Sequence, residues 1–244
     1  MKPRPNARRL ALLAVLTAAV VGLVLLGNWQ LARREWKLAL IERVTRHLAA
    51  PPVAAPGPAQ WAAIGRDDAY RRLSVEGAFH HELETCTKAV TERGAGCWVI
   101  TPLQTVDGHW LLVNRGFVDD SHRDPASRAA GQVRGPVTIT GLLRLSEPGG
   151  GFLRANDPAG NRWYSRDVAA IAMARGLPSD RTAPYFLDAD IASSVPDGPV
   201  GGLTVIKFAN SHLAYALTWY GLALMVLAGI GLLLRPEPPQ ASQV

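Results

Sequence analysis

Apolar positions follow three different periods along the chain. From Leu10 to Leu31, and again from Leu213 to Leu234, 22 residues pass without a charge, and the runs are apolar on every face. At about 1.5 Å per residue each run makes a helix of roughly 33 Å, enough to cross a hydrocarbon core of about 30 Å. The first run is longer than a signal-peptide core of about 7–15 residues. It leaves through Gly27-Asn28-Trp29-Gln30 rather than a small-residue cleavage site, so it reads as an uncleaved anchor. Trp29 at one exit, and Trp219 and Tyr220 in the second run, suit the aromatic belt of a membrane interface. Past Trp29 the helical period persists, with Trp36, Leu40 and Val44 at i, i+4 and i+8 between charges. Pro51-Pro52, Pro56 and Pro58 then end it as a stiff linker.

Beyond the prolines the period turns towards two. Leu73–His80, Cys97–Thr105, Trp110–Val118 and Val137–Leu145 read as strands, with further candidates at Pro184–Asp188 and Gly202–Phe208. Asp107-Gly108 is a hairpin signal, Gly94-Ala95-Gly96 marks a second turn, and Gly149-Gly150-Gly151 a loop. Asp167–Arg175 reads as a short helix stopped by Gly176-Leu177-Pro178. The predicted fold class is a membrane α+β chain. Two transmembrane helices, N- and C-terminal, flank one antiparallel β-rich extracytoplasmic domain, a partly closed barrel with one or two short helices. The predicted boundaries are a tail at 1–9, a span at 10–31, a stalk and linker at 32–58, the β domain at 59–211, a second span at 212–234 and a tail at 235–244.

Composition sharpens this picture. With 48% hydrophobic and 19% charged residues the chain is apolar for its size, which excludes disorder over its length. Two cysteines cannot staple a disulfide scaffold. Of the net charge of +6, Lys2, Arg4, Arg8 and Arg9 carry +4, and no phosphate-tracking basic cluster stands out, so no nucleic-acid partner is expected. The tails hold five Lys/Arg against six flanking the middle segment (Arg33, Arg34, Lys37, Arg43, Arg46, Lys207), so that count alone does not orient the chain. Loops well beyond about 60 residues translocate largely regardless of charge, which allows both termini inside.

Several clusters carry candidate chemistry. Cys86 and Cys97 face each other across two strands if a hairpin is centred near Thr91-Glu92; a disulfide and a pair of free buried thiols both remain open. Copper-thiolate sites normally use closer spacing. His80, Glu82, Glu84 and Cys86 alternate and would share one face of a strand, either a zinc site or, in the favoured reading, an ordinary solvated face. Ser121-His122 with Asp124 is adjacent in sequence, which says almost nothing about a triad assembled in space.

His212 is the most informative single residue. It opens the second span after Asn210, a candidate cap, and Tyr215 and Trp219 follow at i+3 and i+7 on the same helical face. Trp29 and Gln30 lie at the matching depth of the first span, and Ala14, Ala18 and Gly22 offer it a small-residue seam for close packing. Together they outline a shallow aromatic cleft at the membrane surface, suited to a flat, greasy, iron-bearing ligand with His212 as axial ligand. The alternative is an interfacial histidine bonded to a headgroup or carbonyl.

Several stretches also carry a family resemblance. Gly27-Asn28-Trp29-Gln30-Leu31-Ala32-Arg33, Val113-Asn114-Arg115-Gly116-Phe117-Val118, Asn161-Arg162-Trp163-Tyr164 and above all Asn210-Ser211-His212-Leu213-Ala214-Tyr215-Ala216-Leu217-Thr218-Trp219-Tyr220-Gly221 resemble the Surfeit locus protein one family. That resemblance implies a non-enzymatic biogenesis factor of haem-copper cytochrome c oxidase. It would be a multi-pass protein of the bacterial inner membrane with a periplasmic central domain and cytoplasmic termini. It would bind haem a and assist its insertion into oxidase subunit I, with haem a synthase as a further partner and the lipid bilayer as surroundings. The family's histidine matches His212, the expected ligand to haem iron; its usual second asparagine is Ser211 here. His212, Tyr215, Trp219, Trp29 and Gln30 are then the expected cofactor-binding residues, and Arg33, Arg34 or Arg115 candidates for the propionates. An assembly chaperone that never touches haem is the rival implication. A membrane-anchored hydrolase and a two-span sensor are rival readings of the residues themselves.

Overall fold

Forty-three residues, Ala7–Ala49, form one unbroken helix, α1, in the computed structural model, which describes residues 7–235. The helical apolar period therefore passes from the first greasy run through the charged segment without a break. A second long helix, α3, spans His212–Leu234. Both are long and apolar enough to cross a membrane. Most of each predicted tail lies outside the described residues, and Ala7, Arg8 and Arg9 are already helical. The chain divides into two compact units. One holds the described residues up to Glu42 and from Lys207 onward; the other is Arg43–Ile206.

In the helical unit, α1 and α3 run antiparallel. Gln30 meets His212, Asn28 meets Tyr220, and the Arg9 guanidinium donates to the Leu233 carbonyl. The expected seam of Ala14, Ala18 and Gly22 is not the close contact: both alanines are exposed, and a Cβ added at half-buried Gly22 would meet nothing within 4 Å. Gly27, Ala216 and Ala223 are the buried small residues instead. At Gly27 any Cβ would stand 2.5 Å from the Tyr220 ring, so only glycine permits this approach.

The other unit is a β-barrel. Its strands are β1 (Arg72–Phe79), β2 (Thr85–Thr91), β3 (Gly94–Thr105), β4 (Trp110–Asp119), β5 (Pro136–Leu145) and β6 (Thr182–Ala189). The order β1-β5-β6-β4-β3 closes because β3 also pairs with β1 at Gly77↔Thr105; β2 and a two-residue strand, Val53–Ala54, are added outside the ring. This is the connectivity of a five-stranded Greek-key barrel of the OB type. The wholly antiparallel expectation is corrected. β4 and β6 are parallel, as are Val53–Ala54 and β1. The chain leaves β5, crosses through the short helix α2 (Val168–Ala174) and enters β6 beside β4 in the same direction, and a parallel neighbour requires such a long crossover.

Alternate residues fill the barrel: Leu73 and Val75, Leu111 and Val113, Ile139 and Leu143, Tyr185 and Leu187. The opposite face of β4 and β6, through Leu112 and Phe186, packs on Trp163, Val168 and Ile171. Both faces of β4 are thus covered, which explains why it is buried without a break from Leu111 to Val118. Asp167 caps α2 by accepting from the Ala170 amide.

Other details differ from expectation. Gly94-Ala95-Gly96 lies in β3, with Thr91↔Gly94 closing a two-residue turn at Glu92-Arg93, so the turn comes before the glycines. Gly202–Phe208 forms no strand. His80, Glu82, Glu84 and Cys86 share no strand face, because β1 ends at Phe79 and His81–Leu83 is a 3-10 turn.

Candidate functional site

The antiparallel pairing of α1 and α3 brings His212 and Gln30, 182 positions apart, within 2.8 Å through Nδ1 and Oε1. An amide oxygen only accepts, so Nδ1 carries the proton and donates. In the neutral ring this leaves the lone pair on Nε2, the tautomer in which a second-shell acceptor presents a histidine to a metal. Trp219, also half-buried, holds its indole Nε1 away from solvent with no acceptor among the described residues. A buried N–H without a partner is costly and calls for an oxygen from a ligand or lipid.

The remaining expected site residues are not drawn in. Trp29 and Tyr215 lie on the same helices but are 58% and 55% exposed. Each sits one residue, about 100° of helical rotation, from a position turned towards the partner helix: Trp29 beside Gln30, Tyr215 beside buried Ala216. Asn210 does not cap α3. Ser211 occupies that place and makes no side-chain cap bond. Asn28 and Tyr220 add a contact that sequence reading missed, the Tyr220 hydroxyl donating to Asn28 Oδ1 at 2.6 Å. No local signal predicts it, since the partners are 192 residues apart.

The arginine candidates differ sharply. Arg33 stacks on the Trp36 ring at 4.0 Å, and Arg34 is half-buried. Arg115 is engaged inside the barrel unit, where Nη2 donates to the Gly131 carbonyl at 2.6 Å and Nη1 lies 3.4 Å from His81 Nδ1. Burial pushes the Arg115 guanidinium down to about 10.

The barrel unit carries further polar clusters and a disulfide. Asp119 Oδ1 accepts from the Ser121 hydroxyl at 2.5 Å and lies 2.9 Å from His122 Nδ1, and these bonds, with the His122 amide, hold Asp119 down to about 2. Serine and carboxylate both address the same ring nitrogen, which is the arrangement of a turn cap. In a triad the serine would use Nε2 and the carboxylate Nδ1. Buried Asp188 receives Asn114, Arg144, Arg166 and Thr204. Arg166 also grips Glu147 with two donors, an ordinary compensated network. Cys86 and Cys97 form a disulfide with Cα atoms 5.5 Å apart. Among the described residues no group of three or more His, Cys, Asp or Glu side chains converges to hold a metal ion.

Comparison with known proteins places the helical site inside a broader match. A family model described as the SURF1 family matches residues 17–224, which include Gln30, His212 and Trp219. Surfeit locus protein 1 of Homo sapiens is 38% identical over 215 residues, covering 81% of this chain and 69% of the human protein. The protein of the same name from Takifugu rubripes is 36% identical, covering 81% of this chain and 86% of its own length. A SURF1-like protein of Monosiga brevicollis is 38% identical over 218 residues, covering 83% and 80%.

Proposed function

The chain belongs to the SURF1 family, and from that premise we propose that it is a non-enzymatic, membrane-anchored biogenesis factor of cytochrome c oxidase that carries haem a as cargo and assists its insertion into subunit I. The observation that carries this reading is the His212–Gln30 pair, with Nδ1 committed to the amide oxygen and Nε2 left with its lone pair. His212 would hold the haem iron through Nε2, and Gln30 would fix the ring's tautomer and orientation. The Trp219 indole N–H, buried without an acceptor, would donate to a polar substituent of the bound ring. Exposed Trp29 and Tyr215 would lie at its edge and add apolar cover. The two apolar helices are read as spans of the bacterial inner membrane. The Cys86–Cys97 bridge favours an oxidising, periplasmic side for the barrel, which leaves both termini cytoplasmic. Oxidase subunit I, haem a synthase and the surrounding lipid are the partners this role requires.

The test is absorbance of the chain purified from cells that make haem a, together with titration of the haem-free protein with haem a. Wild type should carry a six- or five-coordinate haem signal. His212→Ala should lose it while the circular dichroism stays native. Gln30→Leu should weaken retention by about 10–100-fold, as loss of a second-shell acceptor does. A wild-type protein that neither retains nor takes up haem a, or a His212→Ala variant with an unchanged spectrum, would leave only the scaffold role.

A further inference from the structure

The least expected apolar feature is in the crossover between β5 and α2. Gly150–Gly151 and Arg154–Ala155 pair as a short hairpin with Gly151↔Arg154, so Phe152-Leu153 is its entire two-residue tip. Both side chains are almost wholly in solvent, Phe152 at 93% and Leu153 at 88% exposed. Leu153 also adopts φ +59°, the left-handed region that this turn position normally gives to glycine or asparagine. Solvation and turn chemistry therefore both argue against this pair, and residues held against both at once mark an interaction site.

The base of the hairpin is firmly built. The Gly149 amide donates to Asp167 Oδ2 at 3.1 Å, and Asn156 Oδ1 accepts from the Tyr164 amide at 2.8 Å. Tyr164 lies beside it, with Lys88 Nζ 5.8 Å and the Arg154 guanidinium 5.6 Å from its ring. Lys88 and Arg154 are exposed. The order from the tip inward is thus two bulky apolar side chains, then an aromatic ring flanked by two cations. That sequence of layers matches a bilayer surface: acyl boundary, interfacial belt, phosphate headgroups.

We infer that Phe152-Leu153 is a lipid-contacting finger, dipping its apolar tip below anionic headgroups that Lys88 and Arg154 address. This inference is independent of haem binding. In the full chain Cys86 and Cys97 are bonded to each other, so an introduced cysteine is the one free thiol. The test places a nitroxide at Phe152→Cys in the full chain, in nanodiscs of phosphatidylcholine and phosphatidylglycerol. Val106→Cys, an exposed apolar site on another turn, is the control. The label at 152 should lose accessibility to a water-soluble nickel chelate and gain accessibility to oxygen, while the label at 106 stays open to nickel. Lys88→Glu with Arg154→Glu should reverse the shielding at 152. Leu153→Asn, which suits the left-handed turn, should keep or raise the unfolding temperature while reducing oxygen accessibility at 152. Equal nickel accessibility at 152 and 106 overturns the inference. So does shielding at 152 that arises only when another protein is added.

Discussion

Glu84→Ala is expected to destabilise the barrel more than most single changes in it. The Glu84 and Arg128 side chains are only 5% and 1% exposed. Arg128 Nη1 donates to Glu84 Oε2 at 3.0 Å and Nη2 to Oε1, while Nε donates to the His122 carbonyl. Glu84 is also the carboxylate that favours the charged forms of buried Arg115 and of Arg175. Truncation would leave the Arg128 guanidinium desolvated without its anion, and breaking such a pair costs about 3–5 kcal/mol. For a unit the length of Arg43–Ile206, at about 2–4 °C per kcal/mol, the unfolding midpoint should fall by roughly 10 °C. Replacing both members, Glu84→Leu with Arg128→Met, should recover more than half of that loss, because no unpaired Arg128 charge remains and volume is kept. The assay is thermal and urea unfolding of the full chain in detergent, followed by near-ultraviolet circular dichroism. A loss under about 1 kcal/mol for Glu84→Ala, or a double variant as unstable as the single one, would refute the argument from uncompensated burial.

Gly27→Leu should push Tyr220 aside, since even its Cβ would stand within 2.5–2.9 Å of three ring atoms; an overpacking cost of about 1–3 kcal/mol is expected between the helices. Haem retention should drop in absorbance while the barrel's unfolding midpoint stays put. Removing the Cys86–Cys97 bridge, which closes 11 residues, should cost about 3 kcal/mol by chain entropy, read as a lower urea midpoint in Cys86→Ala/Cys97→Ala and in reduced wild type alike. Burial, with help from Arg115, holds His81 below its ordinary 6.5. The unfolded state therefore takes up that proton first, so the stability His81 allows is present above about pH 6.5 and is lost as pH falls below it. His81→Gln should flatten that part of the urea-midpoint profile, and an unchanged profile would count against the assignment.

The elements themselves were largely written in local pattern. Two uncharged apolar runs specify long helices whatever surrounds them, because only a helix satisfies its backbone internally over such a length. Alternation marked β1, β3, β4 and β5, Asp107-Gly108 marked the β3–β4 turn, and Asp167 with Gly176 bracketed α2, since strand pleat, turn conformation and helix caps are properties of a few adjacent residues. The shared helical face of His212, Tyr215 and Trp219 drew attention to His212, and motif resemblance identified the family. Tertiary structure alone decided what depends on distant partners. The parallel β4–β6 pairing follows from where the crossover returns the chain, and the Glu84–Arg128 pair joins residues 44 apart. On α1 the exposed small residues, Ala14 and Ala18, look as suitable for packing as Gly27 does; which side meets α3 depends on the fit against Tyr220 and Ala216. That rotation puts Gln30, and not Trp29, against His212, because adjacent residues on a helix point about 100° apart and sequence alone records no azimuth between two helices.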